Sequence, residues 1–148
     1  MKLVTGGAGF IGSNLVAALE ASGSKIAVCD WFDNPYKIQN LKKRTLSHHI
    51  RPEELFDFLA EHSGEIDTIF LFGAISSTTE SNVPLITKVN FELPIQIWNW
   101  CRDNDIRLIY ASSAATYGDG SLGFIDNCSV EELRKFKPLI KLSFLQNS

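Results

Sequence analysis

Cysteine is scarce in this chain. Three thiols, Cys29, Cys101 and Cys128, are scattered through 148 residues, odd in number and without the paired spacing of metal ligands. That excludes a disulfide framework and gives no zinc motif. Cys29 and Cys101 sit in apolar stretches and read as small core hydrophobes. Charge of one sign is also lacking. Fourteen basic and 17 acidic side chains leave a formal net charge of −3, which gives no reason to expect nucleic acid. The basic cluster Lys42-Lys43-Arg44 is short and reads as a solvated face. No apolar run reaches the roughly 18 residues of a membrane span, and the amino terminus enters a strand at once instead of a signal peptide. His48 and His49 have no cysteine or carboxylate partner at ligand spacing and read as a surface pair. A reducing, cytoplasmic setting is expected.

What is present is an ordinary core-forming composition, 45% hydrophobic and 21% charged, in a chain long enough to bury a core. The most informative stretch follows the first short β-prone run, Lys2-Leu3-Val4. Thr5-Gly6-Gly7-Ala8-Gly9-Phe10-Ile11-Gly12 joins that run to a helical segment, residues 10 to 20. The spacing G-x-x-G-x-x-G supplies one glycine for a tight turn and one where a pyrophosphate passes close to the backbone. The third lies where the helix meets the strand. The helix then aims unpaired N–H groups and the positive end of its dipole at the phosphates. A second strand, Lys25 to Asp30, is apolar until Asp30, where an acid can accept hydrogen bonds from adenosine ribose hydroxyls. Strand, helix and parallel strand make one right-handed βαβ unit.

Phe10, Ile11, Leu15, Val16 and Leu19 recur at helical spacing and predict an apolar stripe on the first helix. Asp33-Asn34-Pro35 reads as a turn. Lys37 lies close enough in sequence to reach a 2′-phosphate, which would favour NADP over NAD; an ordinary exposed lysine is the other reading. Residues 38 to 50 carry no clear pattern. Arg51-Pro52-Glu53-Glu54 opens a helix with Leu55, Phe58 and Leu59 on its buried face. Residues 66 to 72 are a further buried strand, with Gly73-Ala74-Ile75 at its carboxyl end, where ligands of open α/β sheets lie. Residues 83 to 104 predict a long helix kinked at Pro94, which cannot donate to the carbonyl of Asn90. Asn90 itself reads as a polar residue on a helix flank or as a site residue, and Trp98 and Trp100 as core or interface aromatics. Residues 106 to 111 are the next strand, followed by the hydroxyls of Ser112-Ser113. Ser129-Val130-Glu131-Glu132 reads as a helix cap. The fold class expected is α/β, a parallel sheet with helices on both faces.

These motifs together resemble the extended short-chain dehydrogenase/reductases, the NAD-dependent epimerase/dehydratase family. The resemblance rests on TGGAGFIG, the strand-terminal Asp30, Phe72-Gly73-Ala74 and YASSAATYG (Tyr110 to Gly118). SSTTE (Ser76 to Glu80), and Phe124-Ile125 ahead of Lys137-Pro138-Leu139, narrow it to the branch that inverts carbon 6 of an ADP-linked heptose for lipopolysaccharide. The resemblance runs from Met1 to about Leu139. It implies a doubly wound Rossmann domain over 1–139 that binds NADP, with NAD possible. It also implies a divergent tail at 140–148, no sugar-binding domain within the chain, and an ADP-sugar substrate and homo-oligomer in the intact family.

Residue by residue, the resemblance implies that Gly6, Gly9 and Gly12 cradle the pyrophosphate with Phe10 and Ile11 beside it. Asp30 meets the adenosine ribose, Lys37 favours NADP, Gly73 and Ala74 line the groove, and Asn90 lies near the cofactor. Ser113 would bond the sugar oxygen being oxidised, and Ser77, Thr78 and Thr79 would lie near the sugar. The implied chemistry is hydride removal from carbon 6 and its return to the opposite face, with a tyrosine as base then acid and a lysine four residues on holding its pKa low. The sequence departs from the family at that point. Lys137-Pro138-Leu139 leads into Ile140 to Gln146, with Leu142 and Gln146 near the expected tyrosine and lysine, and no Y-x-x-x-K occurs in the 148 residues. Little or no epimerase activity is therefore expected of this chain. Two smaller departures are the lack of an Asp between Asp33 and Asp57, where His48 or His49 stands instead of the family's adenine-side acid, and Phe70-Leu71-Phe72 where the family often has a histidine. Another sugar-nucleotide epimerase or dehydratase, a non-catalytic nucleotide-binding module, and a gene remnant that folds poorly are the other readings.

Overall fold

A computed structural model describes residues 1–75 and 81–124, together with Ser129, Glu131 and Lys135. Five strands, β1 (Lys2–Thr5), β2 (Ile26–Cys29), β3 (His48–Ile50), β4 (Thr68–Leu71) and β5 (Arg107–Tyr110), pair in parallel in the order β3-β2-β1-β4-β5. Helices α1 (Phe10–Ala21), α2 (Pro35–Leu41), α3 (Leu55–Glu61), α4 (Val83–Thr87) and α5 (Leu93–Asp103) supply the crossovers. A wider, π-helical turn over Lys88–Glu92 joins α4 to α5.

Side chains alternate across each strand, so the apolar central strands feed two separate cores. Leu3, Ala27, Cys29, Ile50, Ile69 and Leu71 pack on one face against Leu55, Phe58 and Leu59 of α3 and Ile97 and Cys101 of α5. Val4, Ile26 and Val28 pack on the other against Val16 of α1 and Leu41 of α2. Helices on both faces of a parallel sheet make the doubly wound α/β architecture that the sequence predicts.

The chain winds outward from β1 through β2 to β3, then returns to place β4 on the other side of β1. The order therefore reverses between β1 and β4, and ligands of such sheets bind beyond the carboxyl ends of the strands at this point. The predicted strands near 2–5, 25–30, 66–72 and 106–111 are all present. The chain forms two compact units, residues 1–111 and 112–148.

Several expectations are corrected. Phe10 and Ile11 do not belong to a buried stripe; they are 84% and 68% exposed on the first turn of α1, and Val16 carries the burial. Asp33-Asn34-Pro35 is not a free-standing turn. Asn34 caps α2, accepting from the backbone N–H groups of Tyr36 and Lys37, with Pro35 at the first helical position. The patternless stretch 38–50 holds the end of α2 and the edge strand β3. His48 and His49 are strand residues in register with Ala27 and Val28, and His48 is half-buried against Phe58 and His62. Trp98 is exposed, whereas Trp100 packs against the core. The kink at Pro94 takes the form of the widened turn just before it. Of the predicted cap at 129–132, Val130 and Glu132 lie outside the described residues.

Candidate cofactor site

The glycine turn closes over the end of β1. Gly6 adopts φ +66°, a conformation that glycine alone reaches without cost, and its N–H donates to the carbonyl of Cys29. A Cβ at Gly6 would meet the Gly73 nitrogen at 2.8 Å, and one at Gly12 would meet the Gly6 carbonyl oxygen at 2.3 Å. The first position thus brings the ends of β1 and β4 together; the last lets α1 sit against the turn. Gly9 caps α1 in extended backbone and supplies no side chain, so the N-terminal amides of the helix face the turn without a side-chain competitor. Gly7, which the sequence reading left without a role, lies against Val28, where a Cβ would meet Cγ1 at 2.6 Å.

Asp30 directly follows β2 and is 5% exposed. Its Oδ2 accepts from the N–H of Ala8 at 3.0 Å, and its Oδ1 accepts from the N–H of Trp31 at 2.8 Å. The carboxylate therefore braces the glycine turn from behind while standing at the ligand end of the sheet. Lys37 Nζ lies 3.9 Å from Asp30 Oδ1, so α2 does bring the lysine to this acid. Asn40, one turn further on, donates from Nδ2 to the carbonyl of Ala8 at 2.9 Å and ties α2 to the same turn.

The opposite wall is the segment after β4. Thr5 Oγ1 accepts from the N–H groups of Phe72 and Gly73 at 3.2 and 3.1 Å. Asn90 holds the far end. Its Oδ1 accepts from the Ile75 N–H at 2.8 Å, and its Nδ2 donates to the Ile75 carbonyl at 2.9 Å. Gly73 and Ala74 lie between these two anchors.

Gly6, Gly9, Gly12, Asp30, Lys37, Gly73, Ala74 and Asn90 thus converge at the carboxyl ends of β1, β2 and β4, with Phe10 and Ile11 exposed beside them. Ser113 is in the second unit. It is exposed, and its Oγ accepts from the Ala115 N–H at 3.3 Å at the start of a short 3₁₀ turn, Ala114–Tyr117. Ser77, Thr78 and Thr79 lie outside the described residues.

Sequence reasoning missed Thr5, Ala8 and Asn40. Thr5, a lone hydroxyl in a buried strand, was the one signal available. His48 and His49 open β3, and the residue at its carboxyl end is Arg51, paired with Glu53 and Asp33 and 6.0 Å from the Trp31 ring. Burial pushes the Cys29 thiol up to about 12, so the cysteine behind the site is an inert packing group. Among the described residues no His/Cys/Asp/Glu cluster could hold a metal ion.

A parallel sheet whose strand order reverses beside a braced glycine turn defines the doubly wound, Rossmann-like class of α/β proteins. Residues 2–138 match the NAD dependent epimerase/dehydratase family, and the chain belongs to that family. It is 40% identical over 147 residues to the ADP-L-glycero-D-manno-heptose-6-epimerase of Fusobacterium nucleatum, covering 97% of this chain and 44% of that protein. Among solved structures it is similar to the ADP-L-glycero-D-manno-heptose-6-epimerase of Helicobacter pylori, at TM-score 0.64 and 30% identity over 80% of this chain and 40% of that one. It is also similar to the UDP-N-acetylglucosamine 4-epimerase of Methanobrevibacter ruminantium, at TM-score 0.66 and 31% identity over 81% of this chain and 40% of that one. The chain therefore spans less than half the length of these relatives. Among the described residues no helix is long and apolar enough to cross a membrane.

Proposed function

We propose that this chain binds NADP and is the cofactor-holding portion of an enzyme like the ADP-heptose 6-epimerases. The observation that carries the cofactor reading is the cradle of Gly6, Gly12 and Gly73, where every added Cβ would meet backbone or Thr5 within 3.3 Å. These close approaches draw β1, β4 and α1 together and leave bare backbone at the turn, against which a pyrophosphate can lie. Asp30 and Lys37 would take the adenosine ribose and its 2′-phosphate, and Gly73 and Ala74 would line the groove. The bound nicotinamide would supply hydride transfer. The residues of this chain bind and orient it, and Ser113 would hold a sugar oxygen by hydrogen bond.

None of Tyr36, Tyr110 and Tyr117 has a lysine four residues on, so the tyrosine–lysine pair that the hydride chemistry calls for is absent from the 148 residues. The 148-residue chain is therefore expected to bind nucleotide without turning over an ADP-heptose. Steady conversion of ADP-heptose by the purified chain would refute this. Thermal shift with NADPH and NADH, each over a concentration series, tests cofactor choice; a larger shift with NADH would overturn the NADP assignment. A second reading, a UDP-sugar epimerase, is favoured by the 4-epimerase structure, at 31% identity against 30% for the Helicobacter heptose-epimerase structure, while the 40% identity to the Fusobacterium heptose epimerase supports the first. Protection by UDP-sugars but not ADP-sugars in the same assay would select it.

A further inference from the structure

Asn90 makes both of its amide hydrogen bonds to one backbone unit, Ile75, and it does so from the middle of the π-helical turn Lys88–Glu92. The cause of that turn lies four residues ahead. In an α-helix residue 94 donates to the carbonyl of residue 90, but proline has no N–H and its ring would press on that carbonyl. The backbone responds by widening. The Leu93 N–H donates to the carbonyl of Lys88, five residues back. An inserted residue turns the preceding side chains about the helix axis, and Asn90 then faces the segment after β4. The loop Gly73–Ile75 is anchored by Thr5 at one end and Asn90 at the other, and Gly73 lies close to Gly6.

The geometry points to Pro94 as a positioning residue for the cofactor loop: by forcing the widened turn it aims the Asn90 amide at the Ile75 backbone and sets the wall against which the dinucleotide lies. Pro94 acts without touching the nucleotide. The inference rests on the cofactor reading for its consequence, while the clamp itself is a separate property of the chain.

The test uses the full chain with Pro94→Ala, Asn90→Ala, Asn90→Asp and the double variant Pro94→Ala/Asn90→Ala. Amide hydrogen exchange at Ile75 reads the clamp, and calorimetric titration with NADPH reads its consequence. Pro94→Ala restores a donor, lets the turn close to ordinary α register and is expected to speed Ile75 exchange about tenfold, with β1 amides unchanged. It should weaken NADPH binding about tenfold, as Asn90→Ala does, and the double variant should be no weaker than Asn90→Ala alone. Asn90→Asp keeps the acceptor for the Ile75 N–H, so it should retain Ile75 protection that Asn90→Ala loses. Wild-type Ile75 protection in Pro94→Ala overturns the inference, as does simple additivity of the two losses in affinity. If Ile75 responds as stated but the wild-type chain takes up neither NADPH nor NADH, the cofactor reading fails and the clamp stands.

Discussion

A methyl group at residue 12 would sit 2.3 Å from the Gly6 carbonyl oxygen and 2.8 Å from the Gly7 Cα. Both neighbours are backbone, so neither can swing aside. Gly12→Ala is expected to cost about 1–3 kcal/mol in urea unfolding, as overpacking does, and to weaken NADPH binding more than tenfold because the helix must retreat from the turn. Thr5 offers the complementary case. Thr5→Val keeps the shape and deletes the acceptor shared by the Phe72 and Gly73 N–H groups. A loss of about 1–3 kcal/mol is expected, the cost of leaving partly buried donors unpaired; an unchanged unfolding midpoint would show that the hydroxyl is not what holds the loop. At this scale the sequence was legible where chemistry restricts the residue. Gly6, Gly12 and Asp30 stand where spacing put them. Phe10 and Ile11, read as part of the apolar stripe of the first helix, are exposed, because a helical period marks an apolar face without saying what covers it.

Among the elements, the β3 edge is the part least visible in advance. His48-His49-Ile50 is three residues long, with little intrinsic preference for extended backbone. It becomes a strand because the Ser47 N–H finds the Ile26 carbonyl, and the Ile50 carbonyl accepts from Asp30. Its register comes from β2, not from its own composition. Asn34-Pro35 likewise carries the same letters for a turn and for a helix cap; the hydrogen bonds to Tyr36 and Lys37 decide it.

The same edge has a pH dependence. The His48 ring lies 5.1 Å from Phe58 and 4.9 Å from His62, centroid to centroid. Burial holds its pKa below the ordinary 6.5, the charges of His62 and Lys25 act in the same direction, and Glu65 opposes them. The unfolded chain therefore takes a proton at higher pH than the folded one. Stability from this residue is complete above about pH 6.5 and falls as pH drops below it, by at most about 1.4 kcal/mol per unit. Glu65 is held down to about 2 by hydrogen bonds from Lys25 and His62. Asp67 also sits at about 2: burial works upward, but hydrogen bonds from Lys2, Thr68 and the amino terminus outweigh it. Both carboxylates keep their charge through this window. Urea midpoints measured from pH 7.5 to 5.5 should fall in the wild type and fall less in His48→Phe. Equal slopes would remove His48 from the account.

On the scale of the whole molecule, the first unit leaves an apolar flank open. Phe91, Ile95 and Trp98 lie at helical spacing across the turn and α5 and are 61%, 46% and 61% exposed; Tyr110 of β5 adds to them around a groove of about 280 Å³. Among the described residues β5 has one strand partner, β4. Exposed apolar surface beside a strand edge favours association. Ile95→Lys with Trp98→Lys is expected to lower the weight-average mass in sedimentation at raised concentration and to leave NADPH affinity unchanged. An unchanged mass distribution would show that this flank does not govern association.

The central claim is that bare backbone at Gly6, Gly12 and Gly73, backed by Asp30, captures a dinucleotide. Calorimetric titration of NADPH into the 148-residue chain tests it most directly. The account predicts saturable binding at one site per chain, lost in Gly12→Ala; a folded wild-type chain that gives no heat of binding with NADPH or NADH would contradict it.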